Sequence, residues 1–330
     1  MAQDHIKKEA LFNEVKGSLF EYLVGKELSV LGSGELFFQQ SLDKNYLTVL
    51  SQQDRMVRQF YPDMLPFLNE ASKTTARTLI DYLQECPSSA KVVGKFSNSS
   101  LSSDLHEADL VLALTDRNLS VSLKLNKKHA FVNTKSGGIK SFFTLYFPFI
   151  KKDIQEEFNQ FVDMEFFRMG GELHELHDLD FQGNFDGWVR QGLSELPGEL
   201  DDESREVLKN YYARIAHRMH MILDEAFKKN PSEFLKALPA LMGFGGPEIL
   251  QVVYFHEFPK NENPVINIHS YADLAKELEQ VTLKPFSNVS SIEVDVGSWA
   301  LQIRVKPMNK FTTTAIKINC SVKVKRPSAF

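Results

Sequence analysis

Glu107-Ala108-Asp109-Leu110-Val111-Leu112-Ala113-Leu114, then Thr115-Asp116-Arg117-Asn118, then Leu119-Ser120-Val121-Ser122-Leu123-Lys124-Leu125-Asn126 is the stretch that decides the fold. The middle quartet has turn composition, and the flanks read as two strands of a hairpin over 107–126. The second strand alternates. Leu119, Val121, Leu123 and Leu125 take one face, and Ser120, Ser122, Lys124 and Asn126 the other. A two-residue loop at Asp116-Arg117 sets Asp109 directly opposite Lys124; a loop at Arg117-Asn118 keeps both on one face, shifted diagonally. An odd loop without a bulge would separate them, so the reading requires an even one. The plain alternative is a surface hairpin with a cross-strand Asp–Lys pair worth about 0.2–1 kcal/mol.

Upstream, Leu11, Val15, Leu19 and Tyr22 recur at helical spacing, which predicts an amphipathic helix over 5–30. Glu14, Gly17 and Glu21 fall on one stripe of it. Glycine inside a helix costs about 1 kcal/mol against alanine. Gly17 therefore implies close approach of a strand or a phosphate beside Glu21, while Glu14 reads as solvated.

Taken together, Lys16-Gly17-x-x-Phe20-Glu21, Asp109 and Ser122-x-Lys124 resemble the PD-(D/E)XK nuclease superfamily, most closely type II restriction endonucleases. The resemblance covers the N-terminal helix, the hairpin and, more loosely, the C-terminal strands. It implies an α/β (mixed α+β) fold with a central mixed sheet flanked by helices. It also implies a Mg²⁺-dependent endodeoxyribonuclease, with Mn²⁺ as substitute, acting on double-stranded DNA. Asp109 would be the bridging metal ligand, Glu21 the helix carboxylate, and Lys124 the residue that orients or activates the attacking water. Ser122 stands where the family has Asp or Glu. A hydroxyl is a poor ligand for a hard cation, so metal binding would lean on Asp109, the Leu123 carbonyl and a carboxylate from Glu21 or, second, Glu107. Ser122 also sustains the alternative of a catalytically inactive nucleic-acid-binding protein on a nuclease-like fold. Symmetric cutting of a palindrome would need a homodimer or two successive nicks. A third reading makes the acidic segment at 153–207 a partner-binding scaffold without nucleic acid.

Charge is segregated. The net charge is −5, unlike a purely electrostatic nucleic-acid binder. Residues 117–152 nevertheless hold eight Lys or Arg and no acid, and residues 300–330 hold seven and none. Residues 153–207 hold sixteen acids and three bases. The basic tracts would suit a phosphate-lined cleft, with Lys127, Lys128, Lys135 and Lys140 in the first. There, Ser136-Gly137-Gly138 ahead of an apolar run reads as a loop feeding a helix N-terminus that grips phosphate. In the second tract, 299–306 and 316–325 read as half-buried strands with basic-polar outer faces. Arg304, Lys306, Asn309 and Lys310 suit contact with DNA, loosely resembling an Arg-x-x-x-x-Asn stretch of some restriction enzymes. Ordinary solvated faces are the competing reading of both tracts.

Three regions are expected: a catalytic core at 1–150, an acidic helical region at 151–245 broken near Gly170-Gly171 and Leu196-Pro197-Gly198, and a β-rich part at 246–330 belonging to the core or to DNA recognition. His174-x-x-His177-Asp178 lacks a further spaced ligand and reads as an exposed helix or loop. His217 and His220 read as a solvated face, and Phe142, Phe143, Tyr146, Phe147 and Phe149 as core. No run approaches 18 apolar residues, so no membrane span is expected. The first residues lack a signal-peptide pattern, and Cys86 and Cys320 stand alone, which points to a reducing cytoplasm and excludes a cysteine zinc site. No Gly-x-x-x-x-Gly-Lys-Ser/Thr loop supports ATP-driven action.

Overall fold

In this computed structural model, residues 2–32, 38, 42–93, 108–246, 248–257 and 264–325 are described, with side chains from residue 12 onward. Glu107 lies outside the described residues. In chain order the elements are α1 (Ala2–Leu31), α2 (Lys44–Phe60), α3 (Met64–Leu83), β1 (Ser89–Val92), β2 (Leu110–Ala113), β3 (Asn118–Lys127) and β4 (Val132–Gly138). There follow α4 (Phe142–Tyr146), α5 (Lys152–Leu176), α6 (Asp186–Arg190), α7 (Asp202–Lys229), α8 (Pro231–Leu241), β5 (Ile249–His256) and β6 (Val265–Ser270). Last come α9 (Tyr271–Glu277), β7 (Val281–Leu283), β8 (Ser291–Val296), β9 (Trp299–Pro307) and β10 (Ile316–Val324). The fold is mixed α/β with two sheets. No described helix is long and apolar enough to cross a membrane.

The chain forms two compact units that are not consecutive blocks: residues 1–130 with 243–275, and 131–242 with 276–330. One boundary between the units falls at Met242/Gly243. The segment after it, however, returns to the first unit, because β5 pairs with β3. The 246–330 block is therefore split between two sheets.

In the first unit the strand order is β1-β2-β3-β5-β6. The β3–β5 pair is parallel and the others are antiparallel. A parallel pair at the centre is expected to be covered on both faces. Residues Leu119 to Leu123 are accordingly all buried, hydroxyls of Ser120 and Ser122 included. Leu110, Leu112, Val121, Leu123, Val252 and Tyr254 share one core with Val15, Leu19, Phe20, Val24 and Leu28 of α1 and with α2 and α3. Gly17 has no strand against it: a Cβ there would meet nothing within 4 Å. The close approach occurs two turns later. A Cβ on Gly25 would lie 3.1 Å from the Phe38 ring and 3.2 Å from Leu110 of β2.

In the second unit all strands are antiparallel, in the order β4-β10-β9-β8-β7. The predicted alternation holds. Trp299, Leu301, Ile303 and Val305 with Ile316, Ile318, Cys320 and Val322 form the buried face. Helix α7 packs on β8 and β9, and α5 on α7. Asp201 caps α7, accepting from the Ser204 N–H at 2.8 Å. Helix α5 runs unbroken through Gly170-Gly171. Gly170 is there for space, since a Cβ would come within 2.4 Å of the Phe181 ring. His174 is buried, not exposed as expected. Its Nδ1 sits 2.7 Å from the Gly170 carbonyl, among Phe181, Phe185 and Trp188. His217 stacks on Phe286 and is not merely solvated. Phe142, Phe143 and Phe147 are core, as predicted.

Candidate functional site

The hairpin loop is even, but it is Thr115-Asp116, one position earlier than the first expected loop and two earlier than the second. The Leu114 N–H donates to the Arg117 carbonyl at 2.8 Å, and Leu110 pairs with Val121. This register brings Ser122, not Lys124, opposite Asp109 and leaves Lys124 diagonal to it. The turn residues permit any of the three loops. Their registers differ by two residues, so each keeps Leu110 and Leu112 on the same face, and the alternation does not choose among them.

The Asp109 carboxylate closes the end of the ladder. Its Oδ2 accepts the Leu123 N–H at 2.6 Å, the Ser122 hydroxyl at 3.4 Å and the Lys124 Nζ at 3.3 Å. Leu123 falls opposite Ala108, where β2 has ended, so the carboxylate satisfies a backbone N–H that the strand no longer reaches. Its main chain is pinned on both sides: the Asp109 N–H donates to Val121 and its carbonyl accepts from Val93. The Asp109 and Lys124 side chains remain 16 % and 29 % exposed, so the pair is reachable from solvent.

Glu21 of α1 and Asp109 of the hairpin share a neighbour in Tyr46. The buried Tyr46 hydroxyl of α2 is pushed above its ordinary range by burial first, then by the charges of Glu21, Tyr22 and Asp109. The helix carboxylate and the hairpin carboxylate thus both bear on one phenol. Among the described residues no group of three or more His, Cys, Asp or Glu gathers to hold a metal ion. A pair of carboxylates would be enough only for an ion such as Mg²⁺, which keeps several waters and binds through one or two carboxylates plus substrate phosphate. It would not suit a metal that needs an all-protein cage.

Sequence reading missed three neighbours. Gln251 of β5 stands beside Ser122 in the parallel ladder, and His269 of β6 beside Gln251. A polar row therefore crosses the sheet, with Ser122 and Gln251 both fully buried. The available signal was one Gln in the apolar run Ile249–His256. Tyr46, the third, carried no signal beyond its place in a helix.

The expected DNA contacts fare unequally. Lys128 is paired with Glu257 at 3.2 Å, Lys140 with Asp163 at 2.6 Å, and Lys310 with Glu195 at 2.5 Å. Cations held this way are poorly free to displace counterions on phosphate. Lys135 lies in β4 against Cys320, and burial lowers its pKa. The phosphate-gripping helix N-terminus at Ser136-Gly137-Gly138 is absent. These residues end β4 and pair with β10, because edge strands accept glycine where a central helix would not, and α4 beyond is only five residues long. Asn309 sits in an exposed turn, while Lys127, Arg304 and Lys306 have no ion-pair partner among the described residues.

At the far end of β5, His256 lies opposite Lys127 and against Phe67. Burial first, then Lys16 and Lys127, lower its pKa from 6.5 to about 4. Between these values the unfolded chain binds more protons than the folded one, so stability falls as pH drops from 6.5 towards 4. A His256→Gln variant is expected to flatten that dependence. Urea midpoints across the interval check it; an unchanged slope would reject the assignment.

Compared with known proteins, the chain matches no family model, no curated protein and no solved structure.

Proposed function

We propose that the chain is a Mg²⁺-dependent, site-specific endodeoxyribonuclease of type II restriction-enzyme character, built on a PD-(D/E)XK-like core. The observation that carries this reading is the Asp109 carboxylate, held by Ser122, Leu123 and Lys124 at a hairpin end while Glu21 bears on the same Tyr46. A first helix on a mixed sheet, an antiparallel hairpin and a parallel partner strand support the core assignment.

Asp109, Glu21 and the Leu123 carbonyl would hold Mg²⁺, which when bound polarises the phosphate and lowers the pKa of water. Lys124 stabilises the negative charge that develops on the phosphate oxygens and orients the attacking water. The Leu123 N–H fixes the Asp109 rotamer, so the carboxylate is positioned before DNA arrives. A homodimer, or two successive nicks, would cut both strands.

One observation favours a second reading. Ser122 supplies a buried hydroxyl where an acid would complete the metal site, as in an inactive nucleic-acid binder. Thermal melting separates the two. On the nuclease reading, Mg²⁺ raises the Tm of the parent chain and not of Asp109→Ala. Ser122→Asp sets a second carboxylate beside Asp109, so that variant should be less stable without metal and gain more from Mg²⁺ than the parent does. Absence of any Mg²⁺-dependent shift in the parent, with DNA binding intact, would favour the binder.

A further inference from the structure

The basic corner of the second unit's sheet is the feature whose charge is least explained by the fold. Lys317 of β10 lies directly opposite Lys306 of β9, and Asn319 opposite Arg304 one row on. Their strand neighbours Ile303, Val305, Ile316 and Ile318 are buried, so Arg304, Lys306, Lys317 and Asn319 share the other face. Like charges directly opposite on a ladder destabilise it. The crowding is felt: burial lowers the Lys306 pKa, and Lys317 and Arg304 lower it further.

Elsewhere on this sheet two lysines are neutralised by one acid. Lys284 and Lys325 both reach Asp295, at 2.9 and 2.8 Å. Glu293, the nearest acid along β8, is engaged by Gln302 at 3.4 Å, and Gln302 also accepts from Arg304 at 2.9 Å. Among the described residues no carboxylate pairs with Arg304, Lys306 or Lys317. The flank is also clear. β4 is the edge strand, and it sets Gly138 beside Lys317 and Ser136 beside Asn319. A Cβ on Gly138, on the face of Lys317, would meet only the Ser141 hydroxyl at 3.6 Å. Further along β4, Asn133 Oδ1 accepts from the Asn319 amide at 3.3 Å.

The geometry points to this corner as a docking surface for the sugar–phosphate backbone of duplex DNA. Lys306 and Lys317 share one phosphate, and Arg304, with Asn319 at its side, takes another, the rows lying about 7 Å apart. The repulsion that the folded chain tolerates is relieved when the polyanion arrives. The choice of DNA as the polyanion rests on the nuclease reading of the hairpin site.

The test uses the full chain in EDTA, with binding to a duplex oligonucleotide followed by fluorescence anisotropy over a range of KCl. Each lost phosphate contact lowers the slope of log K against log salt by about 0.9. The triple variant Arg304→Gln, Lys306→Gln, Lys317→Gln gives up both phosphates and is expected to lose about 2 units of slope and at least about tenfold in affinity. Its Tm should equal or exceed that of the parent, because the like-charge contact is gone. Should the triple variant fail to fold, Arg304→Gln alone, which gives up the second phosphate, is expected to lower the slope by about 0.9, while Lys310→Gln, whose partner is Glu195, leaves it unchanged. An unchanged slope in a folded variant overturns the proposal, as does tighter patch-dependent binding to duplex RNA than to DNA. Patch-dependent DNA binding without cleavage under Mg²⁺ would uphold the surface and reject the nuclease reading. Cleavage with patch-independent binding would do the reverse.

Discussion

Replacing Lys124 with alanine is expected to lower Mg²⁺-dependent DNA cleavage by about 10²–10³-fold, the loss that follows removal of one preorganised group facing developing negative charge. Its Nζ lies 3.3 Å from Asp109 Oδ2, and both side chains keep some exposure to solvent. The same change should alter stability little. A partly exposed ion pair is worth at most about 1 kcal/mol, and Asp109 keeps its bond from the Leu123 N–H. Lys124→Arg retains charge but not the compact ammonium, and should recover only part of the rate. Single-turnover cleavage beside thermal melting checks both halves. A Lys124→Ala enzyme that cuts at the parental rate would remove the residue from the chemistry.

Replacing Arg214 with methionine is expected to cost about 3–5 kcal/mol of folding stability. Glu165 of α5 is only 4 % exposed, and Arg214 of α7 holds it at 2.5 Å while also reaching Glu172 at 3.7 Å. Arg168 approaches the other Glu165 oxygen at 3.8 Å from a largely exposed position and cannot replace that partner. Removing Arg214 therefore leaves a carboxylate inside the α5–α7 contact with its main counter-charge gone. Removing both members, as Glu165→Met with Arg214→Met, should restore most of the loss, since the charge requiring compensation is gone as well. Urea unfolding of the two variants decides. A loss below about 0.5 kcal/mol for Arg214→Met alone, the size of an ordinary surface change, would show that the pair does not hold the helices together.

The parts of the fold that follow local periodicity were legible in the sequence. The alternation in 299–306 and 316–325 specified which side chains face inward, and the turn composition of 115–118 specified a hairpin with Asp109 and Lys124 in reach of each other. What sequence could not settle was decided by residues far away in the chain. The alternation could not set the register, because loops at Thr115-Asp116, Asp116-Arg117 and Arg117-Asn118 all keep the same faces; the structure takes the first and puts Ser122 opposite Asp109. Glycines misled because a close approach and an open surface look alike in sequence. Gly17 has nothing against it, Gly25 has Phe38 and Leu110, and Gly170 makes room for Phe181 inside a helix. The basic tracts misled for a similar reason. Lys140 finds Asp163 and Lys310 finds Glu195, so acids from the segment at 153–207 neutralise lysines that seemed free in their own neighbourhoods. Lys317 was overlooked because its significance depends on the residue opposite it, Lys306, and only the ladder shows that.

The most direct test is to incubate supercoiled plasmid and unmethylated phage DNA with the purified chain, in Mg²⁺ and in EDTA. The account predicts discrete fragments that appear only with Mg²⁺ and share one end sequence, with no cutting by Asp109→Ala. Intact DNA in both Mg²⁺ and Mn²⁺, from a folded protein that still binds the duplex, would contradict it.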